Sequence, residues 1–156
     1  LQVQAGLKGI SADIIMVCRS DQFIHNSKIF EIYERFCPKT KILVNSVQSF
    51  IKGIPMNSSY EYFVSDLCQI TTNKIMHDFW DHVPYYDGSK AIPMERYIVE
   101  NYVRNIKNDK RKWIRIKDEY FYERDYYEDF KIEWEKQIKI EKYKKLSNFY
   151  LRKFSH

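Results

Sequence analysis

Glycine is nearly missing from this chain of 156 residues: there are four, with none between Gly9 and Gly53 and none after Gly88. A dinucleotide-binding or P-loop enzyme needs glycines where a strand turns into a helix, so that backbone amides can approach a phosphate. The turn that follows the first apolar run reads Cys18-Arg19-Ser20-Asp21-Gln22-Phe23-Ile24-His25-Asn26 and supplies none. Cysteine is as sparse. Cys18, Cys37 and Cys68 are odd in number and widely spaced, with no Cys-x-x-Cys among them, which argues against zinc-ribbon and thioredoxin-like motifs. Each lies in or beside an apolar segment and reads as a reduced core thiol, favouring a reducing compartment. No apolar run approaches the ~18 residues that a membrane span requires, so no membrane insertion is expected. Residues 2–8 carry neither a signal-peptide apolar region nor an Arg-rich amphipathic pattern, and an opening Leu1 in place of Met places the expected true start farther upstream.

Aromatic residues, in contrast, make up 17% of the chain, enough to supply burial and to oppose disorder. The length suits one domain, or one domain with an appendage. Isoleucine outnumbers leucine 19 to 6 and lysine outnumbers arginine 18 to 8; no folding requirement sets those ratios, and they fit an AT-biased genome. Charge is divided unevenly. Residues 1–94 hold 9 Lys+Arg and 9 Asp+Glu, whereas residues 95–156 hold 17 and 12, so the whole net charge of +5 belongs to the second part.

The fold class predicted is α/β: a partial Rossmann-like parallel sheet unit followed by a mostly α-helical C-terminal extension. Residues 14–17 form a short, β-branched apolar run suited to a strand buried on both faces. Ser27 is a candidate N-cap for a helix in which Ile29, Phe30, Ile32, Tyr33 and Phe36 recur at helical spacing, stopped at Pro38. Residues 42–44 make a second buried strand, so the order is β-α-β and the two strands are expected to be parallel with a right-handed crossover. Ile54-Pro55 reads as extended. Asn57, Ser58 or Ser59 can then cap a helix whose stripe is Tyr60, Phe63, Val64, Leu67, Ile70, Ile75 and Phe79.

This order resembles the C-terminal half of bacterial-type small-subunit ribosomal protein two, in a divergent mitochondrial form. Ala12-Asp13 stands where the family has Pro-Asp before its strand. Asn45-Ser46 stands for Asp-Thr at the end of the next strand, and Ile54-Pro55-Met56-Asn57-Ser58-Ser59 stands for Ile-Pro-Gly-Asn-Asp before a long helix. Asp13, Asn45, Ser46, Pro55 and Asn57 are thus the motif positions, and the resemblance covers roughly residues 9–80. It implies a structural, non-enzymatic role in the mitochondrial matrix, with rRNA and other small-subunit proteins as partners and no cofactor or small-molecule substrate.

The chain divides into three expected segments: 1–80, the α/β unit; 81–92, an aromatic connector; and 93–156, a basic, aromatic helical extension. Pro93 suits a first helical position and Glu95 a first turn, predicting a helix over 93–106 that Asn108-Asp109 breaks. Trp113, Ile114 and Ile116 suggest a short strand or turn. A long helix is expected over 118–152, with Tyr127, Phe130, Trp134 and Ile138 as a stripe that must cover a partner or fold back. Lys107, Lys110, Arg111, Lys112, Arg115 and Lys117 surround Trp113, a combination suited to RNA phosphates plus a stacking surface, or to an acidic protein. Lys136, Lys139, Lys142, Lys144, Lys145, Arg152 and Lys153 are interleaved with Glu133, Glu135 and Glu141 and suit a solvated helix face. His77 and His82 are five apart, a spacing that splays them on a helix and makes no metal pair. No nucleophile sits beside a base in sequence, and no enzyme is expected. The alternative function is an accessory scaffold subunit of a respiratory or other organellar complex that makes no RNA contact.

Overall fold

The computed structural model describes residues 2–46, 49–51, 54–56, 61–88 and 92–134. In chain order these form α1 (Gln2–Leu7), β1 (Ile14–Cys18), β2 (Gln22–Ile24), α2 (Ile29–Phe36), β3 (Ile42–Asn45), β4 (Ser49–Ile51), β5 (Ile54–Met56), β6 (Cys68–Thr72), α3 (Asn73–Trp80) and α4 (Met94–Asn101). A π-helical turn over Tyr102–Ile106 continues α4, and α5 (Trp113–Tyr120), β7 (Phe121–Arg124), a second π-helical turn (Tyr126–Phe130) and β8 (Ile132–Trp134) complete the set.

The protein is mixed α/β, built on a four-stranded mixed sheet in the order β1-β6-β3-β7. β1 and β3 both run antiparallel to β6, and β7 runs parallel to β3. β1 and β3 therefore point the same way, as a β-α-β order requires, but they do not pair: β6 lies between them. This corrects the expected Rossmann-like parallel pair. The physical reason lies in residues 68–72. Cys-Gln-Ile-Thr-Thr carries three β-branched residues in a row, which favour a pleated strand over a helix, and all five residues pair with β1. The helix expected from residue 60 begins only at Asn73, where the Thr72 hydroxyl accepts from the Ile75 amide. Thr72→Ala is expected to cost about 1 kcal/mol of stability, read as a lower denaturant midpoint at unchanged slope.

Each face of the sheet has its own core. On one side Ile42 and Val44 of β3 and Phe121 of β7 meet Leu7 of α1, Met76, Phe79 and Trp80 of α3, Ile98 and Val99 of α4, Tyr102 and Val103, and Trp113 and Ile116 of α5. On the other, Leu43, Cys68 and Ile70 meet Ile29 and Tyr33 of α2, Tyr126, Phe130, and Ile132 and Trp134 of β8. Alternation along the strands sends successive residues to opposite cores. β3 is central and buried throughout, whereas β1 is an edge strand, half-exposed along most of its length. β2 and β8 form an antiparallel ribbon, as do β4 and β5.

The second part of the chain is therefore not a helical appendage to the first. β7 completes the main sheet, β8 pairs with β2, and the first core draws on residues from both sides of the 81–92 connector. Residues 118–134, expected as the start of one long helix, instead end α5 and form β7, a π-helical turn and β8. The break falls at Phe121-Tyr122, aromatic residues that favour strand. Residues 113–116, expected as a short strand or turn, instead open α5, because Trp113, Ile116 and Tyr120 fall on one face at spacings of three and four. The 94–106 helical segment lies where the sequence places it and stops at Asn108, which adopts a left-handed φ of 52°. At α2 the cap also differs. Ser27 does not cap it; instead Asn26 Oδ1 accepts from the Lys28 amide at 2.9 Å, an Asx turn leading into the helix.

Two buried polar side chains on the sheet, Gln69 and Thr71, find partners. Gln69 Oε1 accepts from Trp80 Nε1 at 3.1 Å, and Thr71 Oγ1 donates to the Lys41 carbonyl at 2.9 Å, as buried polar groups require.

Candidate nucleic-acid interface

The loop between α4 and α5 holds the densest cationic sequence in the described residues, and folding separates its members. Asp109, 8% exposed, is the organising group. Its carboxylate accepts from Arg111 Nε at 3.1 Å and Nη2 at 2.7 Å, from the Arg111 amide at 3.0 Å, and from the Tyr120 hydroxyl at 2.9 Å. Arg111 in turn forks onto Glu119, with Nη1 and Nη2 at 2.9 and 2.6 Å. One guanidinium thereby ties the loop to the far end of α5, the bidentate geometry that makes arginine pairs strong. The Arg111 bonds hold the Asp109 carboxyl well below the usual carboxylate range, and Asp109 and Glu119 hold the guanidinium in its charged form.

Asp109 thereby links folding to acid. A carboxyl whose folded-state pKa is depressed contributes stability that is fully present above its unfolded pKa and lost as the pH falls through the folded one. Asp109→Asn is therefore expected to lower the thermal midpoint at pH 7, with the gap to the wild type narrowing as the pH is taken below about 4. Paired melts at pH 7 and pH 3 check it, and a gap independent of pH would contradict it.

Lys107 and Lys117 are also consumed internally. Lys107 Nζ lies 3.1 Å from Asp78 Oδ2 and 5.0 Å from the Tyr102 ring centroid. Burial pushes the Asp78 carboxyl up, but Lys107 and Lys74 outweigh it and the net displacement is downward. Lys117 Nζ meets Glu123 Oε2 at 2.7 Å, with its side chain 14% exposed. Trp113 is not a stacking surface. It is 2% exposed and packs on Tyr62, ring centroids 5.0 Å apart, and on Phe121 at 6.0 Å.

Three of the seven expected interface residues remain. Lys110, Lys112 and Arg115 are exposed and make no ion pair among the described residues. Lys112 and Arg115, three apart across the start of α5, share a helix face. They stand at the helix end where the backbone dipole is positive, and the first turn of α5 contains no acid to balance them. Ile114, between them, is 81% exposed.

The stripe expected to pack on a partner packs inward instead. Phe130 and Trp134 belong to the second core, and Tyr127 packs against it half-buried. Trp134 Nε1 donates to Asp21 Oδ2 at 3.1 Å, and the Arg19 guanidinium lies 5.5 Å from the Trp134 ring centroid. Ile138 lies outside the described residues. Among the motif positions, Asp13 offers its carbonyl to the Asn73 amide at 2.8 Å. Asn45 is buried at the end of β3. Ser46 is held by Arg124 and Tyr126, its amide donating to the Arg124 carbonyl at 2.9 Å and its Oγ accepting from the Tyr126 amide at 3.1 Å. Pro55 lies opposite Phe50 in the β4–β5 ribbon, and Asn57 is outside the described residues. His77 Nδ1 on α3 pairs at 2.6 Å with Oδ2 of Asp81, the residue that follows the helix, and no group of three or more candidate metal ligands exists among the described residues. No helix among them is long and apolar enough to cross a membrane.

Sequence reasoning missed Asp78, Asp109, Glu119 and Glu123 as the groups that decide which cations stay free. Asp109 and Arg111 are close enough in sequence for an acid two residues before a base to have signalled the pair. Arg111 and Glu119 are eight apart, and only the course of α5 joins them. No protein-family model, curated protein or solved structure matches this chain.

Proposed function

We propose that this protein is a non-enzymatic structural component of a large ribonucleoprotein, namely the small subunit of a mitochondrial ribosome, contacting rRNA backbone and neighbouring proteins. The observation that carries the RNA contact is the set of free cations, Lys110, Lys112 and Arg115, at the positive end of α5 with no acid in its first turn. Such a group suits phosphate oxygens, which position a protein on RNA without reading bases. The ribosomal assignment draws on the resemblance in residues 9–80. In support, β1, α2, β3 and the Ile-Pro strand β5 follow in the order that the resemblance implies, with β2 and β4 interposed; the strand β6, where the resemblance places helix, weighs against it.

The rival role, a scaffold subunit of an organellar complex without RNA contact, is favoured by Ile114, a bare apolar side chain in the middle of the cationic turn. Sedimentation of a native lysate with and without RNase separates the two. Comigration with the small ribosomal subunit that is abolished by RNase is expected. An RNase-resistant complex overturns the ribosomal reading and favours the scaffold.

A further inference from the structure

Cys18 and Cys68 are fifty residues apart in sequence, yet they face each other directly across the β1–β6 ladder. The hydrogen bonds at the two ends of this ladder show what kind of pair they form. The Arg19 amide donates to the Leu67 carbonyl at 3.3 Å, and the Asn73 amide donates to the Asp13 carbonyl at 2.8 Å. Opposed residues in an antiparallel ladder alternate between hydrogen-bonded and non-hydrogen-bonded pairs. Residues 13, 15, 17 and 19 of the first strand thus occupy hydrogen-bonded sites, and Ile14, Met16 and Cys18 the others. A non-hydrogen-bonded pair brings Cα atoms to about 4.5 Å with side chains on the same face, inside the window of about 4.4 to 6.8 Å that a disulfide spans.

The two thiols differ in access. Cys18 is exposed at the end of the edge strand, whereas Cys68 is fully buried in the second core. Burial, and secondarily the neighbouring Cys18, raises the Cys68 thiol far above its ordinary pKa. Cys37 is the third thiol, also buried, and has no place in this register.

We infer that Cys18 and Cys68 form a redox-active dithiol site that reacts with small-molecule disulfides and closes reversibly into a cross-strand bond between β1 and β6. In the first step Cys18, its proton lost to water, attacks one sulfur of glutathione disulfide. The glutathione S–S bond breaks, a mixed disulfide forms on Cys18, and one glutathione leaves as thiolate. Cys68 then loses its proton and attacks the Cys18 sulfur, expelling the second glutathione. The two protein thiols give up two electrons and two protons, and the disulfide takes them up as two thiols. Exposed Cys18 is the attacking and buried Cys68 the resolving group, and both steps accelerate with pH because the thiolate is the nucleophile. The closed bond ties the free edge of the sheet at the Arg19–Asp21 turn, where Arg19 also pairs with Asp21 at 2.9 Å.

The test treats the full chain with glutathione disulfide, blocks remaining thiols and maps linked peptides by mass spectrometry without reduction. The expected product joins the Cys18 and Cys68 peptides in more than about tenfold excess over any pairing with Cys37 and disappears on adding dithiothreitol. Cys37→Ser retains it, and Cys68→Ser stops at a glutathione adduct on Cys18. Since the wild-type map needs no variant, misfolding of a substituted protein leaves the test intact. A wild-type protein that stops at the Cys18 adduct across the alkaline range, or that pairs equally with Cys37, overturns the proposal.

Discussion

Phe79→Ala is expected to cost about 3–5 kcal/mol of folding free energy, the range for truncating a buried phenylalanine. Phe79 has no exposed surface and sits where α3, the Tyr102–Ile106 turn and β7 converge. Its ring lies edge-on to Trp80, Tyr102 and Phe121, with centroids 5.5, 5.1 and 6.1 Å away. Removing it opens a cavity whose walls are held by three separate elements and cannot all close in. A domain of this size has about 5–15 kcal/mol in total, so the variant stands near the edge of folding. Phe79→Leu, which keeps most of the volume, is expected to lose less than about 1.5 kcal/mol. Urea unfolding of the three proteins checks both values. A loss below about 1 kcal/mol for the alanine variant would mean that this cluster does not hold the two parts of the chain together.

The second large effect concerns binding. Replacing Lys110, Lys112 and Arg115 together with Gln is expected to flatten the salt dependence of RNA association. If each cation neutralises one phosphate, the slope of log K against log salt falls in magnitude by about 2–3. Folding should be untouched, since these side chains are exposed and make no ion pair among the described residues. Arg111→Gln serves as the contrast. It breaks the bridge between Asp109 and Glu119, so it should lower the thermal midpoint while leaving the three free cations in place. Fluorescence anisotropy with a short structured RNA at several salt concentrations measures the slope. An unchanged slope in the triple variant sinks the phosphate role of this turn, and particle association that persists alongside it points to the protein-scaffold alternative.

The binding prediction depends on a distinction that one-dimensional patterning does not contain. Six cations from Lys107 to Lys117 look alike in sequence, a basic cluster around Trp113. In the fold, Trp113 is core, Arg111, Lys107 and Lys117 are held by acids, and three cations remain for a ligand. The acids concerned lie 2, 8, 29 and 6 residues from their partners. The i,i+4 rule for helix pairs finds none of them.

The sequence alone determined the elements whose signals are local. The apolar runs of β1 and β3, the spacing of Ile29, Tyr33 and Phe36 in α2, and the helix from residue 94 to its end at Asn108 need only neighbouring residues to be read. The glycine poverty of the first turn likewise belongs to the sequence. Tertiary structure decided the rest. Residues 68–72 have both a helical stripe and a β-branched run, and only pairing with β1 and β3 on two sides makes the strand the lower-energy choice. The aromatic stripe at Phe130 and Trp134 had to be covered by something, which its spacing could not name; the cover is the second face of the sheet. Cys18 and Cys68 became neighbours for the same reason. Pairing across a sheet is set by which edge is free and which faces need burial, and those are properties of the assembled layers.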